Sequence, residues 1–116
     1  MNVKIYHNPR CSKSRQTLQI LQEKGVEPEV VKYLETPPTE AELRDIIRML
    51  GLSSARDLMR KKEKEYKELG LDNPAKTEDE LIRAMVEHPR LIERPIVIRD
   101  GKAALGRPPE KVIDIL

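Results

Sequence analysis

Cys11 stands in the run Tyr6-His7-Asn8-Pro9-Arg10-Cys11-Ser12-Lys13-Ser14-Arg15, and it is the only cysteine among 116 residues. A lone cysteine inside an apolar run is ordinarily a small buried hydrophobe. Here the neighbours are His, Arg, Ser, Lys, Ser and Arg, with three cations within four residues of the sulfur. The run also leads into a helical pattern, so the thiol faces a helix start. Positive charge, the unpaired N–H groups of a first turn and the positive end of its dipole all favour thiolate over thiol. The thiolate is the nucleophile, so Cys11 reads as a reactive group with a pKa below that of a free thiol. A terminal dipole contributes about 0.3–1 kcal/mol, less than one pKa unit. The rest is expected from Arg10, His7, Lys13 or arginines further along the chain. His7 can help hold the sulfur's charge or simply end the strand before it. Ser14 can donate its hydroxyl to the thiolate or cap the helix.

A second group emerges near the C-terminus. Ile96-Val97-Ile98-Arg99 and Lys102-Ala103-Ala104-Leu105 flank Asp100-Gly101, a favoured two-residue hairpin turn. That turn sets Arg99 opposite Lys102 and Ile96 opposite Leu105. Continued outward, it sets Arg94 opposite Arg107. Like charges directly across a hairpin repel. Either the two ends splay into solvent, or an anion sits between the guanidiniums, whose planar forks suit a tetrahedral oxyanion. Each arginine precedes a proline, which biases its backbone toward the extended region.

The positioning elements follow an α/β pattern. Val3-Lys4-Ile5-Tyr6 reads as a strand. A helix capped by Ser12 or Ser14 follows, carries Thr17, Leu18 and Leu21, and stops at Gly25. Glu29–Leu34 reads as a second strand, parallel to the first through a right-handed crossover. Beyond Pro37-Pro38, Thr39 and Glu42 form a capping box for a helix with Leu43, Ile46, Ile47 and Leu50 on one face. Further helical pieces are expected near Ser53–Arg60 and from Thr77 to His88-Pro89. After the hairpin, Pro108-Pro109 opens a last helix through Val112, Ile113 and Ile115.

Composition narrows the function. The length fits one domain with a single core. With 36% charged residues but a net charge of +2, the basic side chains are interleaved with acids, which argues against a nucleic-acid binder. No stretch approaches the ~20 apolar residues of a membrane span, and no secretory segment is visible. One cysteine with two histidines makes no convincing metal site and no internal disulfide. A cytoplasmic protein, monomeric and without a bound cofactor, is expected.

The ordered set of Tyr6-His7-Asn8-Pro9 with Cys11 and Ser14-Arg15, Tyr33-Leu34-Glu35 with Pro37-Pro38, Leu58-Met59-Arg60-Lys61, His88-Pro89 with Leu91-Ile92, Arg94-Pro95-Ile96-Val97 and Arg107-Pro108 resembles the glutaredoxin-coupled ArsC arsenate reductases and their YfgD-type relatives over essentially the whole chain. The resemblance implies a thioredoxin-like fold, with a small mixed sheet flanked by helices. A helical insertion at about 39–88 would separate an N-terminal βαβ unit from a C-terminal ββα unit within a single 1–116 domain. It implies Cys11 as nucleophile, Arg60, Arg94 and Arg107 as oxyanion ligands, and a cis peptide before Pro95. Local composition alone would make Arg60 part of a solvated, salt-bridged face.

The family also implies reduction of arsenate to arsenite, with glutathione as co-substrate and a glutaredoxin partner. Having no second cysteine agrees with an external resolving thiol. Two alternatives stand beside this reading. One is an Spx-like regulator binding RNA polymerase, although those proteins typically carry Cys-x-x-Cys where this chain has Ser14. The other is a thiol oxidoreductase acting on another oxyanion or thiol.

Overall fold

The computed structural model describes residues 2–116. They divide into two compact units: the chain up to Thr36 together with Arg94–Leu116, and Pro37–Glu93.

The first unit is built on a four-stranded sheet. Strands β1 (Val3–His7), β2 (Glu29–Lys32), β3 (Ile96–Arg99) and β4 (Lys102–Leu105) lie in the order β2-β1-β3-β4. β1 runs parallel to β2 and antiparallel to β3, and β3 pairs antiparallel with β4. Helix α1 (Ser12–Glu23) makes the crossover between β1 and β2. Val3, Ile5 and Val97 from the sheet, Leu21 from α1, Val26 from the following loop and Val112 from the C-terminal segment form one buried cluster. Burying each such side chain is worth about 1.5–3 kcal/mol, so this cluster is what seats α1 on the sheet.

Local chemistry ends the elements where the sequence suggests. Gly25 adopts φ +76°, and the N–H groups of Gly25 and Val26 return to Gln22 O and Leu21 O, a Schellman closure of α1. Asp100 and Gly101 both have positive φ, 48° and 79°, as a type I′ turn requires. Arg99 pairs with Lys102 and Ile96 with Leu105, in the expected register.

Three expectations change. β2 stops at Lys32 instead of Leu34, because the N–H groups of Glu35 and Thr36 both turn back to Lys32 O. Neither Ser12 nor Ser14 caps α1; the N-cap is Cys11 itself, extended at φ −93°, ψ 123°. The last helix is a 3-10 segment over Pro109–Ile115. Its three-residue repeat puts Pro109 and Val112 on the buried side together with Ile115, while Ile113 remains exposed.

The second unit is helical. Helices α2 (Glu40–Met49) and α4 (Glu78–Glu87) pack together, and each opens with a complete capping box, Thr39 with Glu42 and Thr77 with Glu80. Leu43 and Ile46 of α2 and Leu81, Ile82 and Met85 of α4 are buried. Between them lie a 3-10 turn at Ala55–Leu58, shorter than the helix expected there, and α3 (Lys64–Glu68). Met59 is extended and bridges to Ile92. Among the described residues no helix is long and apolar enough to cross a membrane.

Candidate active site

The loop between β1 and α1 is fixed by its own polar groups. Asn8 Oδ1 accepts from Arg10 N at 3.0 Å, and Asn8 O accepts from Cys11 N, also at 3.0 Å. This local turn carries Pro9 and delivers Cys11 to the head of α1. Cys11 is partly exposed, as a reacting atom must be. Its carbonyl accepts the first helical bond, from Arg15 N at 3.0 Å. Sγ makes no formed cap bond, but the helix's free donors act on its charge.

The thiol lies below its ordinary pKa. Burial pushes it up, and that push is overcome by the Ser14 N–H, the charge of Arg94, the Lys13 N–H and a hydrogen bond from the Arg94 side chain. Thiolate character therefore comes from the helix start plus one arginine brought from the far side of the sequence. Arg10 and Lys13 were expected to supply charge. Both are exposed, and Lys13 contributes through its main chain instead.

His7 and Ser14 have a different role from the one their types suggest. Ser14 is fully buried, with Oγ 2.7 Å from His7 Nδ1 and accepting from Asn8 N at 3.0 Å. Burial lowers the pKa of His7, and Lys32 and Arg15 lower it further. Ser14 Oγ and His7 Nδ1 share one hydrogen bond, whose direction follows the imidazole tautomer. His7 then adds no positive charge beside Cys11. The pair is a buried pin between β1 and α1.

The hairpin pairing brings Arg107 to the main chain of Arg94. Gly106 N donates to Pro95 O at 3.0 Å, carrying the pairing one step past β3 and β4. Beyond it, Arg107 Nη1 donates to the Arg94 carbonyl at 3.3 Å. One guanidinium thus addresses the thiol and the other braces the main chain behind it. The peptides before Pro95 and Pro108 are both cis. A side chain at Gly106 would meet Thr17 and Pro95, with Pro95 Cγ only 2.7 Å away, so the strand end lies tight on α1.

Arg60 belongs to the second unit. Its N–H donates to Leu91 O at 2.7 Å, and its Nη2 lies 2.9 Å from Glu63 Oε1, with 26% and 15% of the two side chains exposed. Glu63 Oε2 also takes Arg90 Nη2 at 3.2 Å. Arg60 is therefore an ordered, largely buried cation, unlike the solvated face its neighbours suggest. Arg15 is one of the three cations the sequence sets near Cys11, whereas nothing in the sequence singles out Lys32. Arg15 Nη1 donates to Pro9 O at 2.9 Å, and Lys32 pairs with His7 in the β1–β2 register. Among the described residues no three His, Cys, Asp or Glu side chains gather to hold a metal.

The ArsC family profile matches residues 6–115. The chain is 62% identical to the uncharacterized protein YfgD of Escherichia coli (strain K12), covering 98% of this chain and 96% of that one. It is 59% identical to the arsenate reductase of Neisseria meningitidis serogroup B, covering 98% and 97%. A solved arsenate reductase from Vibrio cholerae superposes with a TM-score of 0.98 at 54% identity, covering 100% of this chain and 98% of that one. The thioredoxin-like fold expected from the sequence is the fold of this chain.

Proposed function

The chain belongs to the ArsC family, and from that premise we propose that it reduces arsenate to arsenite through the Cys11 thiolate, with glutathione and a glutaredoxin returning the sulfur to its starting state. The observation that carries this reading is the thiol at the head of α1, held below its ordinary pKa by backbone N–H groups and Arg94. Arsenate reduction is supported by the named relatives; the coupling and the order of steps are our reading.

In this scheme arsenate binds Arg94 and Arg107, whose forked donors match its oxygens, and the family resemblance implies Arg60 as a third ligand. Cys11 Sγ attacks arsenic and a hydroxide leaves, taking a proton to become water. Charge spreading over the remaining oxygens is met by these guanidiniums. Glutathione then bonds to arsenic with loss of a second water. The two thiols supply the two electrons that take arsenic from the +5 to the +3 state and leave joined as a disulfide. Glutaredoxin reduces that disulfide, because no second cysteine in this chain can do so. The side chains of His7, Ser14 and Pro95 support the geometry and touch no reacting atom in this scheme.

The test is arsenite formation by purified protein supplied with glutathione, glutaredoxin and a reducing system. Turnover is expected with the complete mixture, and none with thioredoxin as sole reductant or with a folded Cys11→Ser variant. Equal rates with thioredoxin alone remove the proposed coupling, and arsenite from the serine variant removes Cys11.

A further inference from the structure

β1 lies between β2 and β3, so its C-terminal end has two flanks. On the β3 side stand Arg94 and Arg107. On the β2 side stands a second pair of cations. Lys32 is opposite His7 in the parallel register and shares its face of the sheet, the face α1 covers. Arg15 lies on α1, one turn before Leu18 and two before Gln22. That stripe faces β2: Leu18, Gln22, Val26 and Val30 line an open groove of about 900 Å³. Arg15 and Lys32 lie beyond the groove toward Cys11, one helical turn from Leu18 and two strand residues from Val30. The charges of both act on His7 and lower its pKa. Both are exposed, and among the described residues neither makes an ion pair. The Arg15 fork is held in place by its bond to Pro9 O.

We propose that Arg15 and Lys32 form a carboxylate subsite, separate from the oxyanion arginines, which seats the reducing thiol, a small peptide of the glutathione class, with its sulfur toward Cys11. The partner's chemistry follows from the charges: two exposed cations, one forked and one a point charge, suit a carboxylate on a short peptide. The β3 flank is left to the oxyanion, so substrate and reductant approach the sulfur from opposite sides. This inference rests on the reading that an external thiol resolves Cys11.

The test uses the whole protein and a reaction that needs no arsenate. The Cys11 thiolate attacks one sulfur of glutathione disulfide; that S–S bond breaks, a Cys11–glutathione disulfide forms, and glutathione thiolate departs. Rates are compared with those for bis(2-hydroxyethyl) disulfide, which carries no charge. Lys32→Gln should slow reaction with glutathione disulfide about two- to fivefold, the range of an exposed ion pair, and leave the uncharged disulfide unaffected. Added salt should shrink the difference. Arg15→Gln also gives up the bond to Pro9, so it is judged by the ratio of its two rates, which should fall similarly. Unchanged ratios in both variants overturn the subsite. Arsenate turnover that proves independent of glutathione would instead remove the coupling proposed above, while the exchange ratios still decide this question.

Discussion

Ser14 Oγ lies 2.7 Å from His7 Nδ1, so one buried hydroxyl joins the first turn of α1 to the last residue of β1. The same oxygen takes the Asn8 N–H, and the same residue's main-chain N–H acts on the Cys11 sulfur. Sheet, loop and helix start are thereby tied to one side chain.

Ser14→Ala is expected to destabilise the fold by about 1–3 kcal/mol, since it strands two polar groups at a buried site. Urea titration measures this directly. A loss within about 0.5 kcal/mol, the range of an ordinary surface change, would show that the hydroxyl does not hold the loop.

His7 gives this pin a pH dependence. Its folded pKa lies below the ordinary imidazole value, so the unfolded chain binds the proton more readily. The stabilisation is complete above the ordinary value, about 6.5, and is lost as pH falls from there through the lowered folded value. Urea midpoints should therefore fall more steeply on acidification for the parent than for His7→Gln. Parallel curves for the two proteins would exclude His7 as the titrating group.

Arg94 should govern the reactivity of Cys11 more than the cations beside it in sequence. Arg94→Ala is expected to raise the pH midpoint of iodoacetamide alkylation, with smaller changes for Arg10→Ala and Lys13→Ala. Sulfate should also raise the midpoint in the parent, because a second anion beside the sulfur disfavours the thiolate. A larger shift from Arg10→Ala than from Arg94→Ala would return the field to the local sequence.

For oxyanion binding, Arg94→Ala should remove a charge-assisted contact worth about 1.5–3 kcal/mol, weakening arsenate or sulfate about tenfold or more in calorimetry. Arg107→Ala should also weaken binding, because it removes both a guanidinium and the brace on the Arg94 carbonyl. Parent-like affinity in both variants would place the anion elsewhere.

The sequence exposes those features whose causes are local. Gly25, the Asp100-Gly101 turn and the Thr39-to-Glu42 capping box each specify their own geometry within a few residues, and all three occur as read. Cys11 is legible for the same reason, since a polar run before a helix cannot be an apolar core. What the sequence hides is decided by tertiary partners. Nothing within four residues of Cys11 reveals that Arg94 supplies its charge. Nothing near Ser14 tells that its hydroxyl is already committed to His7. The three-residue spacing of Pro109, Val112 and Ile115 was visible, but it was read as an ordinary helix because the apolar residues themselves suit either. Lys32 is hidden in the same way, because its place opposite His7 exists only once β2 pairs with β1.

Cys11 occupies the position at which a helix ordinarily carries a serine, threonine or aspartate. The free donors of α1 are therefore directed at a sulfur that attracts them only while it is ionised. Every covalent state of Cys11, whether bonded to arsenic or to another sulfur, gives up that attraction, and departure of the sulfur restores it. The helix thus makes Cys11 a good leaving group as well as an attacking one. In the proposed reaction, release of product would be favoured by the same few main-chain amides that favour attack.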